Sequence, residues 1–487
     1  MVLSNVHVTW GLIFAALQVV IILGVTLRVI LTRHPPGASF AWILITTVLP
    51  YVGFILYLMF GERPIGRLRA WRYRRLMEHQ SQENFLKSLD SDPLPATLDR
   101  HRSIMKLACR CANTQATFGN KLELLPDTDS AFRSIVEAID SAVEHIDMAF
   151  YIWHEGGHAN KVSQAVLRAR ARGVEVRVLV DDFASRDFLD SETAWAFRKA
   201  GIEVASAMPM RLLRIFGLQR ADLRLHRKLI VIDHRVAFTG SMNMIDPATY
   251  KAAKEVGDWV DAMVRIEGPA LKPLQTVFLT DWYLQPDHQK IAKREAMPDA
   301  YPEPGEGVVV AVPSGPNNPG DPNLHLLLEG INQARSSIVL TTPYFVPNEV
   351  LATALLNALY RGVDVKLIIP EKCDNPMVSF ASRRYFDDLL ANGAQILLYK
   401  GGLLHTKSLC VDGEFSIFGT VNFDNRSMHL NYELMLLIFE PGFIRDIYAM
   451  LTTYEDNCTH LTLPAWRARP WKHRLYEGAS FLVSPLL

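Results

Sequence analysis

The sequence predicts an α/β protein of two related halves that follow a pair of transmembrane helices. Three observations carry this: two apolar runs at the N-terminus, a long-range repeat in which helix and strand patterns alternate, and one short motif that recurs once in each half. With 487 residues, about half of them apolar, the chain can build more than one core.

From Trp10 to Leu27 the only strongly polar side chain is Gln18, and Ser39 to Phe60 carries no charge. Each run is about the ~20 residues that cross a ~30 Å hydrocarbon layer as a helix. A signal peptide fits poorly, because Met1 to Trp10 lacks Lys and Arg and a second apolar run follows at once. Arg28 and Arg33 sit in the short loop, whereas Arg63, Arg67, Arg69, Arg72, Arg74 and Arg75 follow the second run. The larger basic cluster places the N-terminus and the rest of the chain on the cytoplasmic side, and Pro50 predicts a kink in the second helix.

Residues 1–60 are thus read as a transmembrane hairpin and 61–120 as a connector, either juxtamembrane against anionic headgroups or a solvated linker helix. Beyond it ARGVEVRVLVDD from Ala171 answers YRGVDVKLIIPE from Tyr360, each a helix end, a glycine turn and an apolar strand. Helix and strand alternate around both, which predicts two α/β units over 121–300 and 301–463. Prolines from Pro286 to Pro322 mark the crossover between them. The tail, 464–487, and the stretch from Pro209 to Arg220 interleave Arg or Lys with large apolar residues, as interfacial segments do; an ordinary surface helix has the same composition.

Lys+Arg and Asp+Glu balance at 51 each, which disfavours a nucleic-acid partner. The five cysteines show no metal-like spacing and read as reduced, cytoplasmic thiols. A strand-end Asp181–Asp182 pair without a histidine is a weak metal signal, and none of His154, His158, His234 and His429 repeats between the halves. No metal and no cofactor are expected.

The recurring motif is LHRKLIVID, with His226, Lys228 and Asp233, then GSMN with Ser241 and Asn243. Its counterpart is LHTKSLCVD, with His405, Lys407 and Asp412, then GTVN with Thr420 and Asn422, at identical spacing. One HxKxxxxD is suggestive only; two, in step with an internal repeat, are strong evidence. Residues two apart on a strand share a face, so each His–Lys pair reaches one pocket. The motif aspartates fall on the opposite parity at hairpin turns, a position that supports the local frame. Carboxylates orienting the histidines then come from following strands, where Glu433 and Asp261 are favoured over Glu255.

Such a set suits attack on a phosphodiester. One neutral imidazole attacks phosphorus, a second protonates the leaving alkoxide, and Lys228, Lys407, Asn243 and Asn422 stabilise the nonbridging oxygens. Ser241 and Thr420 either add hydrogen bonds to the phosphate or cap a turn.

Two HxKxxxxD motifs with trailing GSxN or GTxN resemble the phospholipase D superfamily. AWILITTVLPYVGFILYLMFGE, YIWHEGG, TTPYFVP, GGLLHTK and the terminal SPLL extend the resemblance to bacterial cardiolipin synthases over essentially the whole chain. The resemblance implies two phospholipase D-like α/β sandwich domains packed as a pseudo-dimer in the bacterial inner membrane. It implies condensation of two phosphatidylglycerol molecules to cardiolipin and glycerol through a phosphatidyl-histidine, with hydrolysis to phosphatidic acid as the alternative. It also implies that His226, Lys228, Asp233, His405, Lys407 and Asp412 form the catalytic set, His226 as nucleophile. Phosphatidylglycerol and anionic membrane lipids are the expected partners; oligomeric state is not legible in the sequence.

Overall fold

The computed structural model describes residues 2–32, 36–61, 71, 73, 96–209, 222–250, 256–285, 297–318, 320–482 and 484. They belong to two compact units, Met1–Trp71 with Met210–Leu223, and Arg72–Pro209 with Arg224–Leu487. The basic residues from Arg63 to Arg75, Glu255, most of the Pro209–Arg220 stretch and most of the final SPLL lie outside the described residues.

In the first unit α1 runs over Val2–Leu31, and its stretch Trp10–Leu31 has mean hydropathy 2.4. Among the described residues it alone is long and apolar enough to cross a membrane. The second apolar run is not one helix but two, α2 (Pro36–Val48) and α3 (Pro50–Leu56), ending in a π turn over Tyr57–Gly61. Leu49 leaves helical geometry at φ −130°, ψ 73°, because the proline after it disfavours the helical region for its predecessor. Gly53 lets α3 fold closely onto α2: a Cβ there would come 2.6 Å from the Thr46 Cα. Thirteen residues make about 20 Å of helix, short of the hydrocarbon thickness. The expected pair of full transmembrane helices is therefore reduced to one helix long and apolar enough to cross a membrane and a bent, apolar second run.

The second unit is built on one continuous sheet. Its first half contributes β1 (Ala116–Leu125), β2 (His145–Phe150), β3 (Glu175–Asp181), β4 (Glu203–Ala207), β5 (Leu229–Ile232), β6 (Val236–Gly240), the short β7 (Trp259–Val260) and β8 (Met263–Glu267). The second half contributes β9 (Gly307–Ser314), β10 (Ser337–Thr341), the short β11 (Phe345–Val346), β12 (Asp364–Pro370) and β13 (Gln395–Tyr399). It continues with the short β14 (Leu403–Leu404), then β15 (Ser408–Val411), β16 (Phe415–Gly419), the short β17 (Phe423–Asp424), β18 (Glu433–Phe439) and β19 (Cys458–Leu461).

The strand order is β19-β13-β12-β10-β15-β16-β18-β9-β1-β8-β6-β5-β2-β3-β4. Read outward from the central β9–β1 pair, the halves repeat one another strand for strand, and β19 is an extra edge. Antiparallel pairing of Ala116 with Val310 and Thr117 with Val309 fuses them. β5, LIVI, is buried at every position, as a strand covered on both faces must be.

Helices cover the sheet over separate apolar cores, one including Phe132, Val178 and Phe238, the other Leu326, Leu340 and Ile417. The helix Arg102–Ala112 buries Ile104, Met105, Ala108, Cys109 and Ala112 in the second of these. Residues that the sequence reading gave to the connector thus belong to the folded body. All five cysteines are free.

Candidate active site

Each motif histidine is delivered by a strand that pairs across the two halves. The His226 amide donates to the Tyr432 carbonyl at 2.9 Å, and β14, just before His405, runs parallel to β7. The His405 amide donates to the Val260 carbonyl at 2.8 Å. This crossing puts each imidazole against a carboxylate of the other half: His226 Nδ1 lies 2.8 Å from Glu433 Oε2, and His405 Nδ1 lies 2.7 Å from Asp261 Oδ1. An ionised carboxylate can only accept, so both Nδ1 atoms carry hydrogen and each Nε2 presents a lone pair while the ring is neutral.

All six ionisable groups are buried. Burial, with Lys228 beside it, pushes His226 down to about 4 against the pull of Glu433, and His405 falls likewise to about 4 against Asp261. Burial also brings Lys228 down to about 8 and Lys407 to about 7, although Glu433 and Asp261 resist it. For the carboxyls burial acts upward, but His226, Lys228 and Thr420 hold Glu433 below its ordinary range, and His405, Lys407 and Ser241 do the same for Asp261. The site therefore holds two neutral imidazoles, two carboxylates and two ammonium groups that shed protons unusually easily. Lys228 Nζ donates to the His226 carbonyl at 2.8 Å, and Lys407 Nζ donates to the His405 carbonyl. Each lysine is thereby anchored through its own histidine, with donors left over for an anion.

Glycines make the carboxylate contacts possible. A Cβ on Gly240 would lie 2.4 Å from the Ala262 carbonyl oxygen, and one on Gly419 would lie 2.3 Å from that of Leu434. This close approach brings Ser241 Oγ to Asp261 and Thr420 Oγ1 to Glu433, each donating to the carboxylate. Asn243 accepts from the Ile152 amide at 3.2 Å and keeps a buried, unpartnered Nδ2; Asn422 keeps a buried, unpartnered Oδ1. Unsatisfied polar atoms at such depth are rare and mark where a ligand's polar atoms would fit.

A family model described as "Cardiolipin synthase, PLD-like domain" matches residues 135–282 and 327–453, and thus covers both motifs. The cardiolipin synthase A of Escherichia fergusonii is 40% identical over 472 residues, 96% of each chain. The chain belongs to the phospholipase D-like cardiolipin synthase family. That of Salmonella arizonae is 39% identical over 473 residues, again 96% of each chain. A "Phospholipase D-nuclease N-terminal" model matches residues 19–62. Among solved structures the phosphatidylserine synthase of Haemophilus influenzae shares the fold, with TM-score 0.59 and 16% identity over 79% of this chain and 100% of that one.

Against this cardiolipin synthase framework two assignments from the sequence change. Ser241 and Thr420 were candidate phosphate ligands, but their hydroxyl hydrogens go to Asp261 and Glu433, so they support the carboxylates. Asp233 and Asp412, implied as catalytic, lie seven residues beyond their histidines, on the order of 20 Å along the strand. Asp233 accepts from the amides of Val143, Glu144 and His145, and Asp412 from those of Arg335, Ser336 and Ser337. Both hold positive φ, 52° and 54°, and tie their hairpin to the start of the neighbouring strand. They are framing groups.

Sequence reasoning missed several supports. Ser427 and Asn431 donate to Glu433 Oε1 at 2.9 and 3.1 Å, and among the described residues nothing in the first half corresponds to them. Asp181 was set aside as a strand-end acid, yet its carboxylate accepts from the Leu225 amide at 2.9 Å, one residue before His226. Tyr151 and Trp259 lie edge-on and tilted against His226 and His405, with centroids 4.8 and 4.5 Å away.

Proposed function

We propose that this chain condenses two phosphatidylglycerol molecules into cardiolipin and glycerol through a phosphatidyl-histidine. The observation that carries the reading is the crossed pairing, which leaves two imidazole Nε2 atoms free beside two lysines. His226 Nε2 attacks phosphorus of the donor lipid, the bond to glycerol breaks, and His405 supplies the proton that the leaving alkoxide takes up. His405, neutral in the empty site, takes that proton up from solvent at Nε2 as the phosphodiester anion enters, because the anion raises its proton affinity. The glycerol hydroxyl of a second phosphatidylglycerol then gives its proton to His405 and displaces His226, forming cardiolipin. Lys228, Lys407, Asn243 and Asn422 hold the nonbridging oxygens, while Glu433 and Asp261 orient the rings.

The membrane setting belongs to the same reading. α1 and the bent second run sit together in the bacterial inner membrane, with the larger basic cluster and the body on the cytoplasmic side. Acceptor lipid is then concentrated where water is scarce, which favours transfer over hydrolysis.

The test is to incubate the purified chain in vesicles with labelled phosphatidylglycerol and no divalent metal, and to resolve the lipids by mass spectrometry. Cardiolipin and glycerol appear in equal amounts. Predominant phosphatidic acid would make the enzyme a hydrolase, and cleavage of nucleic acid with no change in lipid would discard the reading altogether.

A further inference from the structure

The C-terminal helix, Trp471–Leu482, is packed unlike an ordinary surface helix. Its inner face meets the helix Pro376–Arg383 through Tyr476 on Phe380, with centroids 5.8 Å apart, and Phe481 meets Tyr385 at the same distance. On that inner side Glu477 is 2% exposed and pairs with Arg469 at 2.7 Å. The outward side should then be polar, yet Trp471, Leu475 and Leu482 are 69%, 62% and 81% exposed. At 100° per residue these three fall within about 40° of one another and roughly opposite Glu477. Lys472 and Arg474, about 80° to either side of the stripe, are exposed, and no exposed acid lies on the helix.

We propose that this outward stripe docks the enzyme body on an anionic phospholipid surface. Trp471, Leu475 and Leu482 enter the boundary between headgroups and acyl chains, and Lys472 and Arg474 meet lipid phosphates. A second copy of the chain is the poorer occupant: three side chains offer far less than the roughly 800 Å² per partner that a stable interface buries, and like charges would face each other. The inference rests on the phospholipid-substrate reading above and adds to it how the body meets its substrate's surface.

The test uses the full chain in nanodiscs, with hydrogen exchange followed over residues 471–482. In discs containing phosphatidylglycerol, exchange there is about tenfold slower in the wild type than in a Trp471→Ser/Leu475→Ser/Leu482→Ser variant. Lys472→Glu/Arg474→Glu loses only the part of the protection that depends on anionic lipid, measured against phosphatidylcholine discs. The triple serine variant has an apparent KM for bilayer phosphatidylglycerol about tenfold higher at unchanged kcat, while turnover of a short-chain, monomeric phosphatidylglycerol stays within about twofold. Equal exchange in wild type and variant overturns the proposal, as does protection that follows protein concentration instead of lipid. If the wild type makes no cardiolipin from either substrate, the catalytic reading fails, and the exchange result still decides the docking.

Discussion

Among the described residues Glu433 accepts from four side-chain donors, His226, Thr420, Ser427 and Asn431, whereas Asp261 accepts from two, His405 and Ser241, both at Oδ1. The two pairs share a plan, down to the glycine and hydroxyl behind each carboxylate, and on the Glu433 side the short helix Asn425–His429 supplies Ser427 as a further donor. A carboxylate with its charge shared among four donors fixes a ring's direction without drawing its proton strongly. Both rings nevertheless come down to about 4, so the two carboxylates differ in how firmly each is held. Near-symmetry in sequence thus hides an asymmetry of support, and the proposed division of labour, nucleophile at His226 and proton carrier at His405, is what the following experiments test.

The largest expected effect sharpens that division. His226→Ala and His405→Ala each lower turnover of phosphatidylglycerol by about 10⁴-fold or more. With a phosphatidyl ester of a good leaving group such as p-nitrophenol, protonation no longer matters. His405→Ala then still forms a covalent phosphatidyl adduct in a single-turnover burst, and His226→Ala does not. A burst from His226→Ala alone would reverse the assignment.

Next come the carboxylates. Glu433→Gln and Asp261→Asn each cost about 10²–10⁴ in kcat, the range seen when a histidine loses its orienting acid. They differ in stability: Glu433→Gln disturbs four buried partners and costs about 3–5 kcal/mol, Asp261→Asn about 1–3 kcal/mol. Denaturant unfolding of both variants in detergent measures the gap. Equal losses would mean that the additional donors around Glu433 do not couple to it.

How much of this was legible follows from what is local. The HxK pairs stand out because alternate strand residues share a face and because the motif occurs twice. Glu433 and Asp261 were reachable as acids on the next strands, but the exchange of partners between halves depends on β7, β14 and the Leu225–Tyr432 bridge, which no spacing encodes. Ser427 and Asn431 have no counterpart among the described residues of the first half, so the repeat could not flag them. Asp181 acts through a backbone amide 44 residues away. The roles of Asp233 and Asp412 were half visible, in that their parity set them apart from the histidines while the motif grouped them together. Pro50 was read as a kink, and its effect proved larger because Gly53 permits α3 to close on α2.

The lysines give the smallest effect and the most direct titration of the asymmetry. Burial lowers Lys407 to about 7 and Lys228 to about 8, and a neutral amine no longer attracts the phosphodiester, so kcat/KM falls as pH rises through each value. Both lysines lose charge within the range just above neutrality, so the alkaline limb of the wild type carries two groups. Arginine stays protonated throughout, so Lys407→Arg and Lys228→Arg each remove one titrating group and fall less steeply with pH than the wild type. The wild-type slope steepens from one proton to two above pH 8, and either variant keeps a slope of one. If both variants retain the wild-type limb, the groups that titrate lie outside the two motifs, and the difference between the halves is confined to their carboxylates.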